Sequence, residues 1–200
     1  MLYGEMPEGG FRFTVANPKK EAFLRLPKSD EIAAHMDAQK TIRRMIGRRQ
    51  SQTETLPNAK ADLDLFAQLR LSGDDFDEFE ARNAIQKLTS SEVVDCERSS
   101  DGYTVTLKTP FGESVHVLGI PTARQLADYK RTVVKSRELP HNQEELRYRT
   151  QSTMDLYDAA VQSSSGYADG TEVPAHHKFA IAIELVHAIE ELDPAFDPNS

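Results

Sequence analysis

FRFTVANPKKEAFLRLPKSDEIAAH, residues 11–35, decides the fold, because YTVTLKTPFGESVHVLGIPTARQLADY, residues 103–129, repeats its pattern. In the first stretch Phe11, Phe13 and Val15 alternate with Arg12 and Thr14, the period of a half-buried strand. Asn17-Pro18 breaks the run and Ala22 to Leu26 resumes it, which predicts a hairpin. In the second stretch Tyr103, Val105 and Leu107 alternate, Thr109-Pro110-Phe111-Gly112 turns, and Val115, Val117 and Ile120 return. Each hairpin then meets a proline, Pro27 or Pro121, which keeps the residue before it out of the helical region.

A helix follows each proline. Ser29 is the expected N-cap of the first, with Asp30 and Glu31 placed well against the helix dipole. Thr122 and Gln125 form a capping box for the second. The first helix is expected to bury Ile32, Met36, Ile42 and Met45/Ile46, the second Leu126, Tyr129 and Val133. Phe11 aligns with Tyr103 and Pro27 with Pro121 once two residues are inserted, so the chain contains two similar hairpin-plus-helix units.

Around these units the sequence reads as helical. Leu63, Phe66 and Leu69 share a face between Ala59 and Leu71, and Asp77 with Glu80 caps the next helix. Val93 and Val94 begin a strand that joins the second hairpin as a three-strand meander. Residues 48–58 are polar and aperiodic, the pattern of a loop. A helical region is expected from Asn142, and a last helix from Pro174 carries Phe179, Ile183, Val186 and Ile189, widened by Ile181, Leu185 and Leu192. So broad an apolar stripe belongs to a core or to a partner. The expected class is α+β and helix-dominated. Its divisions are a first hairpin-helix unit at 1–50, a helical connector at 51–91, a meander plus helix at 92–136 and a C-terminal helical region at 137–200, in one or two compact domains.

Composition narrows the chemistry. The net charge of −8 argues against a nucleic-acid footprint over the whole protein. A single cysteine, Cys96, rules out a disulfide framework within the chain, and Asp95 and Glu97 beside it raise a thiol pKa. The N-terminus lacks the basic and apolar regions of a signal peptide, and no stretch approaches ~18 consecutive apolar residues, so a soluble cytoplasmic protein is expected. Glu184 and His187 are one E-x-x-H pair where a di-iron bundle needs two. His176-His177 and Glu31/His35 read as ordinary helix residues. No nucleophile elbow, phosphate loop or dinucleotide fingerprint occurs, so no catalytic, cofactor or metal residues are assigned. Lys40, Arg43, Arg44, Arg48 and Arg49 cluster near the expected end of the first helix, where the dipole favours cations; together with Ile181 and Leu185 they are the candidate partner-binding residues. The acidic run Asp74 to Glu80 offers a complementary surface in the same chain or in another copy.

The hairpin entering LRLPKSDEI, the segment KTIRRMIGRRQSQTE, LKTPFGESVHVLGIPT, LPHNQEELRYR and VPAHHKFAIAIELVHAIEELDPAFDP together resemble small tail-region proteins of phages and prophages, most of all the tail assembly chaperones. The resemblance spans most of the chain through its general texture. It implies a non-enzymatic morphogenesis protein without cofactor, working in the host cytoplasm and binding other phage structural proteins, with a homo-oligomer as a further form. The duplicated unit departs from what a chaperone requires and suits a structural subunit of the tail or head–tail junction, resident in the virion. A nucleic-acid-binding accessory protein using the Arg43–Arg49 cluster is the more remote alternative, and a membrane is not an expected partner.

Overall fold

Among the described residues, eighteen elements repeat one nine-element pattern. In the computed structural model, which describes residues 2–5, 10–16, 18–45, 51–56, 58–110, 112–141, 143–167 and 172–192, the first half runs β1 (Leu2–Glu5), β2 (Gly10–Ala16), β3 (Lys19–Arg25), α1 (Ser29–Asp37), β4 (Lys40–Met45), β5 (Ser51–Leu56), α2 (Ala59–Leu69), β6 (Arg70–Gly73) and α3 (Glu78–Leu88). The second runs β7 (Glu92–Arg98), β8 (Gly102–Thr109), β9 (Gly112–Gly119), α4 (Ala123–Thr132), β10 (Val134–Leu139), β11 (Gln143–Tyr148), α5 (Thr150–Ala160), β12 (Val161–Ser165) and α6 (Ala175–Leu192). Two antiparallel sheets have matching strand orders, β1-β2-β3-β6 and β7-β8-β9-β12. Both closing strands carry a register shift at the same place, Leu71 being the extra residue in β6 and Gln162 in β12. Pro27 and Pro121 stand at corresponding strand-to-helix junctions. The repeat therefore reaches well past the hairpins and helices read from the sequence.

The third sheet, β10-β11-β4-β5, is shared. It brings the second hairpin of each half side by side, β11 pairing antiparallel with β4 from Gln143↔Arg44 to Leu146↔Thr41. Strands are thus as extensive as helices, and the fold is mixed α and β rather than helix-dominated. Three local expectations change with it. The first helix ends at Asp37, so Ile42 and Met45 lie on a strand, while Ile46 is outside the described residues. β5 occupies most of the segment read as a loop. The region from residue 143 is strand β11 before α5 begins. The N-cap of α1 is Lys28 rather than Ser29, because the Glu31 carboxylate accepts the Lys28 backbone N–H at 2.9 Å and is held by Arg25 at 2.6 Å. The boxes at Thr122/Gln125 and Asp77/Glu80 form as read.

Each half has its own core. Phe11, Phe13 and Leu24 from one hairpin pack on Phe66, Leu69 and Ile85 from α2 and α3; Tyr103, Val105 and Leu118 pack on Tyr157, Ile181 and Leu185 from α5 and α6. Where α3 places Ala84, Ile85 and Leu88, α6 places Ile181, Ala182 and Leu185, so large and small exchange positions and the packing is kept. Met154 and Ala175 of the second half reach into the first core, and α1 packs against both α5 and α6. α6 is covered on several sides, with Val186 joining Leu126, Tyr129 and Leu156 in a third cluster. The wide apolar stripe is therefore consumed largely inside the protein.

Ile181 is fully buried whereas Phe79, on the outer side of α3, is 71% exposed. Ile181→Ala is expected to cost about 2–5 kcal/mol through the cavity it leaves, and Phe79→Ala to stay within about 0.5 kcal/mol. Urea denaturation midpoints check both; a larger loss at Phe79 than at Ile181 would contradict the packing described.

Candidate functional site: the shared sheet and its surroundings

Side chains alternate across a strand, so the register of the shared sheet sorts its residues onto two faces. Thr41, Leu146 and Ser136 lie opposite one another on the inner face, as do Arg43, Glu144 and Glu138. On the outer face Ile42 lies opposite Glu145, which lies opposite Arg137. Lys40 and Arg44 of β4, Lys135 and Arg137 of β10 and Arg147 of β11 therefore share that outer face, and all five are exposed. Its acids are Glu145 and Glu54. Arg147 holds the Glu145 carboxylate at 2.7 Å and keeps its pKa below the usual range, with Lys40 and Arg137 adding to the effect. The surplus of positive charge on this face stands against a net charge of −8 for the chain.

The basic run thus divides. Lys40 and Arg44 reach the outer face from a strand, not from a helix end. Arg43 points the other way and grips Glu144 at 2.5 Å and 3.0 Å, lowering the pKa of that carboxyl. Arg48 and Arg49 lie outside the described residues. Ile181 and Leu185 are fully buried in the second core, so the expectation that they meet a partner is corrected: their apolar area is already covered by sheet and helix. Lys135, Arg137 and Arg147 were missed because VKSREL and QEELRY are rich in residues that also favour helices. The signal that could have found them is the Pro140-His141-Asn142 break between two runs of six; His141 adopts a positive φ of 64° there.

Beneath the inner face lies a cleft of about 510 Å³ between the halves. Thr41, Thr53, Thr55 and Tyr148 roof it; α1 supplies Ile32, His35 and Met36, and α6 supplies His176, Phe179 and Ile183. His35 is held by the buried Asp62 at 2.8 Å, which Arg82 holds in turn at 3.1 Å. His176 is buried, and among the described residues neither of its ring nitrogens has a hydrogen-bond partner. Hydroxyls and apolar groups dominate the walls, and the lining residues include neither a paired carboxylate nor a cysteine.

A buried polar chain distinguishes the second half. His116, wholly enclosed, meets the Tyr157 hydroxyl through Nδ1 at 2.8 Å and the Ser114 hydroxyl through Nε2 at 3.0 Å. Tyr167 donates to Ser114 at 3.1 Å and touches His177 Nδ1 at 2.9 Å. The corresponding positions of the first half hold Ala22, Phe66 and Phe76, the two rings stacked at 4.9 Å, and a Lys20–Glu80 ion pair of 2.6 Å. His176 and His177, read as ordinary helix-start residues, are in fact buried edge to face. Cys96 has its thiol pKa raised, by burial first and then by Glu184 and Asp95. Among the described residues no cluster of His, Cys, Asp and Glu could hold a metal ion, and no helix is long and apolar enough to cross a membrane.

Comparison with known proteins finds no match: no protein-family model, no characterised protein and no solved structure aligns with the chain. The site has to speak through its geometry.

Desolvation lowers the pKa of His116 and His176 from 6.5 to about 4 and that of His177 to about 3. A base whose folded value lies below its unfolded value is neutral in both states at high pH; as the pH falls, the unfolded chain binds protons first and the fold loses stability. Stability is therefore expected to be level above pH 6.5, to fall from there towards pH 4, and to stop responding to these groups below pH 3. Glu31, held at about 2 by Arg25, contributes only at lower pH than most of this window. Urea midpoints between about pH 7 and 4.5 check the trend; a flat profile would show that the histidines are not neutral and buried.

Proposed function

We propose that the protein is a non-enzymatic assembly factor of a phage or prophage tail, and that it binds an acidic segment of another protein of that assembly through the outer face of the shared sheet. The observation that carries this reading is the gathering of Lys40, Arg44, Lys135, Arg137 and Arg147 on one exposed face of an acidic chain. Charge of one sign on a surface steers an oppositely charged partner and fixes its orientation more than it adds raw affinity. The resemblance of the sequence to tail assembly chaperones points the same way, and such a role needs no cofactor. The host cytoplasm is where a chaperone of this kind acts. The structural-subunit reading keeps a place because two outer strands of the same sheet, β5 and β10, have no outer neighbour among the described residues, a feature suited to a component built into a repeating particle.

Deleting the gene from an inducible lysogen is expected to abolish tailed particles, with the protein absent from purified wild-type virions. Presence in the virion would select the subunit reading, and normal particles without the gene would overturn both. The interaction itself is checked by Lys40→Glu with Arg44→Glu and Arg147→Glu, three exposed positions on the two inner strands. The triple variant is expected to keep its melting temperature within a few degrees and to lose particle formation. Binding of duplex DNA with a steep salt dependence would favour the nucleic-acid alternative instead.

A further inference from the structure

We infer that copies of this chain join head to tail, β5 of one copy pairing antiparallel with β10 of the next. The joint between the two halves supplies the argument, and it is independent of which other protein the cationic face binds. In the shared sheet the hairpins β10–β11 and β4–β5 follow one another in the same direction, so the second strand of one hairpin, β11, pairs with the first strand of the other, β4. A joint of this kind is heterologous: it uses two different surfaces and leaves each of them open once more at the ends. The open copy of the β11 surface is β5, and the open copy of the β4 surface is β10. Neither has a second strand neighbour among the described residues. Residues 52–56 and 135–138 are exposed along both edges.

The equivalence also fixes the register. Thr55 stands opposite Thr41 as Leu146 stands opposite Ser136, which places Thr55 in the role of Leu146 and Ser136 in that of Thr41. Carrying the β11–β4 register onto the outer strands sets Thr55 opposite Ser136, Glu54 opposite Arg137, Thr53 opposite Glu138 and Gln52 opposite Leu139. Opposite charges meet directly at Glu54 and Arg137, the arrangement that stabilises a cross-strand pair, and a one-residue slip would turn every side chain to the wrong face. Both strands span six residues, so the edges match in length. Repetition of the joint gives a ring if the rotation closes and a filament if it does not.

Sedimentation velocity on the purified full chain is expected to show association that grows with concentration beyond two copies. Glu54→Arg and Arg137→Glu are each expected to shift that association to several-fold higher concentration, and the combined swap to restore it. In a Cys96→Ser background, Glu54→Cys with Arg137→Cys is expected to give a ladder of disulfide-linked oligomers on oxidation, whereas either cysteine alone stops at a dimer. A chain that stays monomeric without a ladder overturns the inference. So does an assembly that ends at two copies, or charge variants that associate as the wild type does.

Discussion

The ladder between β11 and β4 is the constraint on which the rest depends. Each half builds its own four-stranded sheet and caps it with helices, yet each also throws out a second hairpin after α1 or α4. A two-stranded hairpin is marginal by itself in water. Joined through β11 and β4, the two become one four-stranded sheet, and Arg43 clasps Glu144 across the seam. The seam sets α1 against α5 and α6 and so forms the cleft. It also collects cations from three strands on a single face. Without it the halves would meet chiefly through α1 against α5 and α6, and the basic residues would be scattered.

Duplication supplies an internal control on what each core needs. Phe66 and Phe76 stack in the first half; Tyr157 and Tyr167, their counterparts, stand apart to admit His116 where the first half has Ala22. The added polar atoms are nearly all satisfied by one another, as a buried network must be if it is not to cost more than the apolar packing it replaces. The Lys20–Glu80 pair of the first half achieves a comparable tie at the edge, partly in solvent. The first half thus joins apolar packing to an ion pair at its rim and a His35–Asp62–Arg82 tie between its helices, whereas the second encloses a hydrogen-bonded interior around His116 that is sensitive to protons.

Much of this was legible in the sequence. Alternation at Phe11–Val15 and Tyr103–Leu107, the two prolines and the caps at Asp77 and Thr122 are local signals, and local signals determined those elements. The strands β4, β5, β10 and β11 were not legible as strands, since KTIRRM, SQTETL, VKSREL and QEELRY lack apolar alternation and owe their conformation to pairing with one another. For the same reason only Lys40 and Arg44 of the outer cationic face could be read from clustering along the chain. Ile181 and Leu185 were recognised as apolar and important, but periodicity alone does not say whether such a stripe faces a core or a partner.

The seam also sets an order of events. Arg43 and Glu144 stand 101 residues apart in the chain, and their strands cannot meet until the second half has been made. At the usual pace of synthesis, 5–20 residues per second, the edge of β4 that faces away from β5 waits about 5–20 s for its neighbour. Exposed edges invite pairing with other chains, and charged side chains on the edge are the common safeguard. Lys40, Arg43 and Arg44 give β4 three cations in six residues. The charges that later line a surface and clasp a seam would first serve to keep nascent neighbours on a polysome apart.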